Sequence, residues 1–319
     1  MLHIHKIPVP TPYPVGPVNS YLIKNRPYTL VDPGPDTVEA RNALMCGLAS
    51  LDISLSDISR VVLTHSHSDH SGLAGWLGEI AGAQIYVHQY EFRKLTMDYD
   101  FYQERLSFFR EAGLPTEVLK EILADVDTVK RPVLPSEGIK LLQGGEVLEF
   151  DGGSLLAIHM PGHSDGHICL NDQSGENFLA GDFILKHITP NPNMEPELKD
   201  FSKRQPVLRQ YLDGLAVMNE IGVRLILPGH GENINHSPVA VLRAKKHHGE
   251  RLVLITSLLD GTSLNVYQLT RVLYPNINGF EIYLAISEVF AHVDYLLACN
   301  KLTKKDSSGV AFYSKATCL

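Results

Sequence analysis

Three histidines and an aspartate follow one short apolar run in the segment VVLTHSHSDHSG, residues 61–72. Their spacing is HxHxDH, at a point where a predicted strand ends and a helix begins: His65, His67, Asp69 and His70. Side chains two, four and five positions apart at such a junction can face one cavity. Imidazole nitrogens and carboxylate oxygens are ligands for Zn²⁺ and also for Fe or Mn. The segment therefore predicts a metal site rather than a solvated polar loop.

Three later apolar runs also end in polar residues. They are MPGHSDGH, LAGD and LPGHGE, and they add His163, Asp182 and His230. Functional residues collect in layered α/β proteins where strands end and loops begin, so we expect these donors to meet the first cluster. Five histidines and two aspartates can bind two metal ions if Asp182 bridges them, with room for a shared water.

Short apolar runs and helical patterns alternate around these clusters, which predicts an α/β fold. Strands are predicted at residues 19–25 and 28–32, joined by a hairpin turn, and in ISRVVLTH, AQIYVHQY, EGIKLLQGGEVLEFDGGSLLAIH, NFLAGDFIL and VRLILPGH. Helices are predicted after a cap at Asp36 or Thr37, in SGLAGWLGEIAG, and around residues 202–221.

A helical insert is predicted at about residues 89–135. Residues 90–109 hold seven of the 25 aromatic residues, and the pattern LPTEVLKEILADV follows. Aromatic residues at helical spacing are usually core, so one interpretation is a helical hairpin that packs on the sheet or on a second subunit. The other is a lid or wall for an apolar substrate, and the two are compatible.

The pattern changes at about residue 237. Residues 237–319 predict a helix to about residue 259, a short helix capped at Ser263, a long helix at 279–298 and a hairpin turning at residues 306–309. This order is winged-helix-like. Residues 281–298 contain no Lys or Arg, whereas a DNA-reading helix would carry basic residues. We therefore predict two domains, residues 1–236 and 237–319, and no DNA binding by the second.

Composition and charge point to an ordinary globular protein. The 319 residues are 44% hydrophobic and 20% charged, with a net charge of −8. Residues 1–236 hold 19 basic and 30 acidic residues, a balance of −11, and residues 237–319 hold 9 and 6, a balance of +3. Because nucleic-acid affinity depends on neutralising phosphates, an acidic main body argues against a nucleic-acid partner.

The sequence also favours a soluble cytoplasmic protein. The first residues lack the basic start and apolar core of a secretory signal, and no segment has about 18 uninterrupted apolar residues. The four cysteines show no CxxC spacing and no paired pattern, which is typical of a reducing compartment: Cys46, Cys169, Cys299 and Cys318. We interpret them as small buried hydrophobic residues.

The ordered set HxHxDH, His, Asp, His resembles the metallo-β-lactamase superfamily over residues 1 to about 236. The resemblance implies an αββα four-layer sandwich, here with a small winged-helix-like C-terminal domain. It also implies a role for each donor: His65, His67 and His163 would hold the first metal ion, Asp69, His70 and His230 the second, and Asp182 would bridge. Asp32, in VDPG, lies where the family places an aspartate behind the metal ligands; alternatively it is a turn residue.

Departures from the family's branches narrow the expectation. Zinc β-lactamases have a cysteine in place of Asp182 and generally lack the equivalent of His70. Flavodiiron members have a glutamate in the first motif and an attached flavodoxin domain, and this sequence shows neither. The long nucleases carry an extra domain that this sequence also does not show. The pattern is most similar to glyoxalase II-like hydrolases, although the glutathione-binding tail has no match. The C-terminal region resembles the appendix of a subgroup that includes an endoribonuclease.

The expected activity is hydrolysis of a small thioester, ester or lactone. Two divalent ions, Zn or alternatively Fe or Mn, would lower the pKa of a bridging water, and the hydroxide would attack the carbonyl. Asp69 would orient the hydroxide and pass a proton to the leaving group, while His167 is interpreted as structural. The alternatives are a metal-dependent single-strand endoribonuclease and a ligand-binding effector with little catalysis. The expected partner is a small acyl substrate, without nucleic acid or membrane, and a homodimer is compatible with the insert or the C-terminal region.

Overall fold

Six strands form the first sheet of the computed structural model, which describes residues 1–128, 132–135 and 137–316. In chain and sheet order they are β1 (Ile4–Val9), β2 (Val18–Ile23), β3 (Thr29–Val31), β4 (Arg60–Val62), β5 (Gln84–His88) and β6 (Ile139–Leu142). The first three strands pair antiparallel, and β3 to β6 pair parallel. The carboxyl ends of β3, β4 and β5 therefore lie side by side.

Five strands form the second sheet. They are β7 (Val147–Phe150), β8 (Gly153–His159), β9 (Ile168–Asp172), β10 (Asn177–Gly181) and β13 (Leu225–Pro228), and their order is β13-β10-β9-β8-β7. Strands β7 to β10 are antiparallel neighbours, whereas β13 joins β10 in parallel. The parallel pair brings the ends of β10 and β13 to one edge.

The two sheets pack against each other, and helices cover the other face of the first sheet. One core cluster joins Val31 and Val62 of the first sheet to Leu155 and Leu170 of the second. A second cluster packs the opposite face of the first sheet against α1 (Val38–Ala49) and α3 (Ala74–Ala81). Alternate residues of a strand point to opposite faces, which explains two cores on one sheet. The predicted mixed α/β fold of stacked sheets and helices is confirmed.

Short elements connect these layers. A 3₁₀ turn (Leu55–Asp57) precedes β4, α2 (Ser68–Ser71) follows it, and α4 (Gln89–Lys94) follows β5 directly. The strand predicted in AQIYVHQY therefore ends at His88, because the His88 side chain accepts a hydrogen bond from Tyr90 N and caps α4. Thr37 caps α1, as one of the two predicted alternatives, and accepts a hydrogen bond from Ala40 N.

The remaining elements begin with α5 (Phe101–Glu111), α6 (Thr116–Thr128) and the strand pair β11 (Pro196–Glu197) and β12 (Asp200–Arg204). They continue with α7 (Val207–Ile221), α8 (Ser237–Leu258), α9 (Val266–Leu273) and α10 (Phe280–Ala298). A three-stranded sheet closes the chain, in the order β14 (Leu264–Asn265), β16 (Val310–Lys315), β15 (Leu302–Ser307). The helix predicted from residue 202 was wrong at its start, because Asp200–Arg204 pairs with β11 and Pro206 precedes the first turn.

The predicted cap at Ser263 was wrong by two residues. Asn265 caps α9: its side chain accepts a hydrogen bond from Gln268 N, and the Gln268 side chain accepts one from Asn265 N. Such a reciprocal pair satisfies two backbone donors at once, which favours Asn265 over Ser263. The predicted terminal hairpin is present, with Ser307 paired to Val310 across the turn.

Residue contacts divide the chain into two compact units. The first contains residues 1–99, 132–135, 137–190 and 214–241, and the second contains residues 100–128, 191–213 and 242–316. The predicted domain boundary at residue 236 stays a prediction. Residues 129–131 of the predicted insert and Cys318 lie outside the described residues. Among the other cysteines, Cys169 is buried as predicted, whereas Cys46 and Cys299 are exposed.

Each unit has its own apolar core. Phe108 and Phe109 of the predicted insert are at most 1% exposed in the core of the second unit, together with Ile286, Phe290 and other residues of α10. These two aromatic residues are therefore core residues, as predicted, but they pack with α10, whereas the prediction named the sheet or a second subunit. The lid interpretation stays a prediction. Within the described residues, none of the helices has the length and hydropathy needed to cross a bilayer.

Candidate metal centre

All seven predicted metal donors lie in the first unit, in segments that follow strands: Asp69 and His70 in α2, and the other five in loops. The segment from His65 to His70 follows β4, and His163 lies between β8 and β9. Asp182 follows β10 directly, and His230 lies two residues after β13. The packing of the two sheets brings these loops together, so the structure assembles donors that are up to 165 positions apart in the sequence.

Three histidines form the first donor group. His65 Nε2 lies 2.9 Å from His67 Nδ1, which lies 3.1 Å from His163 Nε2. One donor atom from each ring falls within 4.8 Å of the other two. Thr64 Oγ1 donates to Asp32 Oδ2 at 2.7 Å, so it accepts the Nδ1–H of His65 at 3.0 Å. The Nε2 lone pair of His65 therefore points at the other two rings.

Asp69, His70 and His230 form the second donor group. His70 Nε2 lies 3.2 Å from His230 Nε2, and Asp69 Oδ2 lies 3.3 Å from His230 Nε2 and 3.8 Å from His70 Nε2. These donor atoms also fall within 4.8 Å of one another. His230 Nδ1 donates to the carbonyl of Pro17 at 2.9 Å, which directs Nε2 into the group.

Asp182 lies between the two groups. Its Oδ2 is 3.8 Å from His163 Nε2 in the first group and 3.6 Å from His230 Nε2 in the second. Its Oδ1 is 3.5 Å from His70 Nε2 and is buried without a hydrogen-bond partner. Buried carboxylate oxygens normally have a partner, so this oxygen suits a bound cation.

Asp32 orients His70 of the second group. Its side chain is buried, and it accepts hydrogen bonds from Thr64 N at 2.8 Å, Thr64 Oγ1 at 2.7 Å and His70 Nδ1 at 2.9 Å. A carboxylate bonded to the outer nitrogen of a metal-binding histidine fixes its tautomer and ring orientation. An Asp32 carboxylate oxygen also lies within 4.8 Å of ring nitrogens of His65 and His70, but both Asp32 oxygens already accept hydrogen bonds from Thr64 or His70.

The charges of the two groups differ. Burial, with the neighbouring His163, lowers the pKa of His67 to about 4, and burial with four neighbouring histidine rings holds the pKa of His65 well below its ordinary value. Burial acts in the same direction on His70, but the carboxylates of Asp182, Asp69 and Asp32 outweigh it and raise the pKa of His70 well above its ordinary value. His65 and His67 are thus neutral rings, whereas His70 lies among carboxylates that favour its protonated form.

The arrangement fits divalent metal ions. Neutral imidazole nitrogens that face each other at about 3 Å place lone pairs against lone pairs, and a cation between them removes that repulsion. The donor set of imidazole and carboxylate is the one that Zn²⁺, Fe and Mn accept. His65, His67 and His163 would hold one ion and Asp69, His70 and His230 another, with Asp182 within reach of both.

Glycine is required beside Asp182. A Cβ on Gly229 would lie 2.3 Å from Asp182 Oδ1 and 2.8 Å from His70 Cε1. A Cβ on Gly181 would lie 2.6 Å from Thr64 Oγ1 and 2.8 Å from His167 Nε2, at a φ of +48°. These two glycines of the LAGD and LPGHGE clusters therefore let the backbone approach the donors.

Several supporting residues were missed in the sequence. Thr64 bonds Asp32 and His65, and the Tyr13 hydroxyl lies 2.7 Å from Ser68 Oγ, within the HxHxDH motif. His167 lies outside the donor groups: its Nε2 accepts a hydrogen bond from Asp182 N at 3.2 Å, a structural contact. Of these supporting residues, only Thr64 has a sequence position that could have indicated its role, because it directly precedes His65.

Comparisons with known proteins identify the family of this chain. The model of the "Metallo-beta-lactamase superfamily" matches residues 13–230. The chain is 29% identical over 309 residues to "Probable metallo-hydrolase YqjP" of Bacillus subtilis, covering 93% of each. It is 27% identical to "Atrochrysone carboxyl ACP thioesterase" of Claviceps purpurea over 172 residues, which are 54% of this chain and 41% of that one.

The fold is shared with a solved structure over nearly the whole chain. The metallo-beta-lactamase family protein TTHA1429 from Thermus thermophilus superposes with a TM-score of 0.83 and 28% sequence identity. The superposition covers 98% of this chain and 98% of that chain, so it includes residues of both units.

Proposed function

The chain belongs to the metallo-β-lactamase superfamily of metallo-hydrolases, and on that premise we propose that it hydrolyses a small thioester or ester, lactones included, with two divalent metal ions. One observation carries the proposal. Asp182 lies within 3.8 Å of a donor nitrogen in each of the two groups, so a single carboxylate can serve two ions. Zinc is the proposed metal, with Fe or Mn as alternatives that the same donors accept.

The expected chemistry is divided between the two bound ions and the Asp69 carboxylate. Two bound ions would polarise the substrate carbonyl and acidify a water molecule. Asp69 is the most exposed member of the second group: its side chain is 13% exposed, against 0% for His70 and 3% for His230, and its Oδ2 lies beside His230 Nε2. Burial raises the pKa of Asp69, but His70 and His230 outweigh it, so the pKa falls and the carboxylate is ionised at neutral pH. Asp69 can therefore accept a proton from water and return it to the leaving group.

The substrate class is supported by two observations. The proposed centre suits attack on a carbonyl, and a matched relative is named as an acyl carrier protein thioesterase, although the match covers only 41% of that protein. The net charge of −8 opposes a polyanionic substrate such as RNA. A small acyl thioester is therefore the proposed substrate, and single-stranded RNA is the alternative to be tested against it.

A paired substrate panel tests the proposal. The zinc-loaded protein is incubated with acyl thioesters of increasing chain length, matched oxygen esters, a lactone and a labelled RNA oligomer, and its metal content is measured. We expect hydrolysis of thioesters or esters, with two ions per chain, and loss of activity in Asp69→Asn. Asp151→Asn, an exposed aspartate outside the donor groups, is the matched control.

Each other result has a defined meaning. RNA cleavage without acyl hydrolysis would support the endoribonuclease alternative and reject the proposed substrate class. Binding of two ions without any turnover across the panel would support a ligand-binding effector. Full activity in Asp69→Asn would show that Asp69 does not move the proton.

A further inference from the structure

Glu91 is fully buried at the start of α4 and belongs to neither donor group. Its carboxylate accepts two backbone hydrogen bonds, from Ser66 N to Oε2 at 2.9 Å and from Gly166 N to Oε1 at 2.7 Å. Ser66 lies between His65 and His67, and Gly166 lies three residues after His163. One side chain therefore bonds both of the loops that supply the first donor group.

Buried charges around Glu91 reinforce this connection. Lys94 Nζ lies 3.4 Å from Glu91 Oε1 and 2.6 Å from Asp165 Oδ1, and the side chains of Lys94 and Asp165 are 7% and 2% exposed. Asp165 directly precedes Gly166, so Lys94 attaches the second loop to the same helix. A buried carboxylate that lost these partners would leave unpaired charges and unsatisfied amides, which is strongly destabilising.

Glu91 and the second loop, which contains Gly166, are in close contact. A Cβ on Gly166 would lie 2.8 Å from Glu91 Cγ, 2.9 Å from Glu91 N and 2.7 Å from His88 Nδ1. The loop can approach α4 to this distance only because residue 166 is glycine. The separation of the two loops is therefore set by backbone contact as well as by hydrogen bonds.

We propose that Glu91 is a positioning residue that holds the loops of His65–His67 and His163 at the separation needed for one metal ion. This inference rests on the proposed metal centre, because it assigns Glu91 a function toward the first donor group. It accounts for the 3.1 Å approach of His163 Nε2 to His67 Nδ1 across two separate loops. In the second group, Asp32 bonds a ring nitrogen, whereas Glu91 bonds the backbone amides of the two loops.

Zinc affinity of the Glu91→Gln protein tests the inference. Glutamine keeps the shape, but its amide nitrogen would face one of the two N–H donors, so one loop loses its bond. We expect the affinity for one of the two ions to fall about 10–100-fold, as for other residues behind metal ligands. Competition with a chromophoric chelator measures the affinities, and the visible spectrum of the cobalt-loaded protein reports the first ligand set. Glu79→Gln, at an exposed position of α3, is the matched control.

Gly166→Ala is the second variant, because it displaces the same contact without changing a charge. We expect it to weaken the same ion, and thermal unfolding of each metal-free protein separates a folding defect from a positioning defect. Unchanged zinc affinities and cobalt spectra in both variants, or affinity losses that only follow the loss of metal-free stability, would overturn the inference. Failure of the unaltered protein to bind metal would instead overturn the proposed metal centre.

Discussion

Two clusters of charge in this chain, one buried and one partly buried, are balanced in different ways. The candidate metal centre in the first unit combines five histidines and two aspartates whose lone pairs converge, and its Asp182 Oδ1 has no hydrogen-bond partner. In the second unit, the Arg204 guanidinium makes paired hydrogen bonds to Glu111 at 3.0 and 3.1 Å and to Asp294 at 2.7 and 2.8 Å. The second cluster therefore contains its own cation.

Neighbouring residues complete the pairing of charges in the second cluster. Lys304 Nζ and the Tyr313 hydroxyl both donate to Glu111 Oε1 at 2.7 Å, and the Arg204 guanidinium lies 3.8 Å from the centre of the Phe290 ring. Two cations thus match two carboxylates. The comparison teaches that burial of carboxylates alone does not indicate a metal site: the indication is convergent imidazole and carboxylate donors whose ion pairs are made by histidines and not by Lys or Arg.

The largest expected effect is that of Asp182→Asn at the metal centre. The amide removes the negative charge shared by the two donor groups, and the hydrolytic rate should fall about 10³-fold, equivalent to about 4 kcal/mol. Metal content and kcat are measured on the same preparation, with Asp151→Asn as the control. Retention of two ions at unchanged affinity would show that Asp182 is not shared.

Arg204→Met tests the opposite cluster. Methionine retains apolar contact with Phe290 but leaves Glu111 and Asp294 without the paired donors, so the free energy of unfolding should fall by about 3 kcal/mol. Urea denaturation of the metal-free protein measures this loss. Zinc affinity should be unchanged, and Arg209→Met, whose side chain is 64% exposed, is the control. A fall in zinc affinity in Arg204→Met would show that the second cluster also supports the metal centre, so the distinction between the two clusters would not hold.

Asp32→Asn should have an intermediate effect on zinc affinity. Asparagine can accept only part of the three hydrogen bonds from Thr64 and His70, and its amide nitrogen would oppose one donor. The affinity should fall about 10–100-fold. Chelator competition measures it, with the exposed pair member Asp36→Asn as the control. An affinity equal to that of the unaltered protein would mean that Asp32 is only a turn residue.

The smallest expected effect is a pH dependence of the second cluster. Burial raises the pKa of Glu111, but Arg204, Lys304 and Tyr313 outweigh it and lower the pKa from 4.5 to about 2. The stabilisation is therefore fully present above pH 4.5 and is lost as the pH falls through about 2. Glu111→Gln should flatten the stability curve in this window. Urea midpoints are measured with a chelator present, so that metal release does not contribute. If the stability curve of Glu111→Gln matched that of the unaltered protein, Glu111 would not be the cause of the pH dependence.

The sequence was sufficient for the donors because they form dense local patterns at strand ends. HxHxDH alone supplies four of the seven, and PGH, GD and PGH follow apolar runs that the structure shows as strands or loops between strands. The mixed α/β fold also followed from the alternation of apolar runs and helical patterns. What each donor binds stays a prediction.

Contacts between distant segments could not be predicted in the same way. Glu91 is an ordinary glutamate in a helical pattern, and its role depends on where the backbones of Ser66 and Gly166 meet. Likewise, residues 202–204 were included in the helix predicted around 202–221, but pairing with β11 makes them part of a strand. Local propensity is a weak prior where long-range pairing decides the structure.

The order of the donors along the chain has a consequence for biosynthesis. His65 and His67 leave the ribosome about 100 residues before His163, and His230 follows later still. At roughly 5–20 residues per second, the nascent chain carries an unfinished donor set for about 5–20 seconds before the first group can close. The complete set of seven donors therefore exists only after His230, which follows the last strand of the second sheet, has been made.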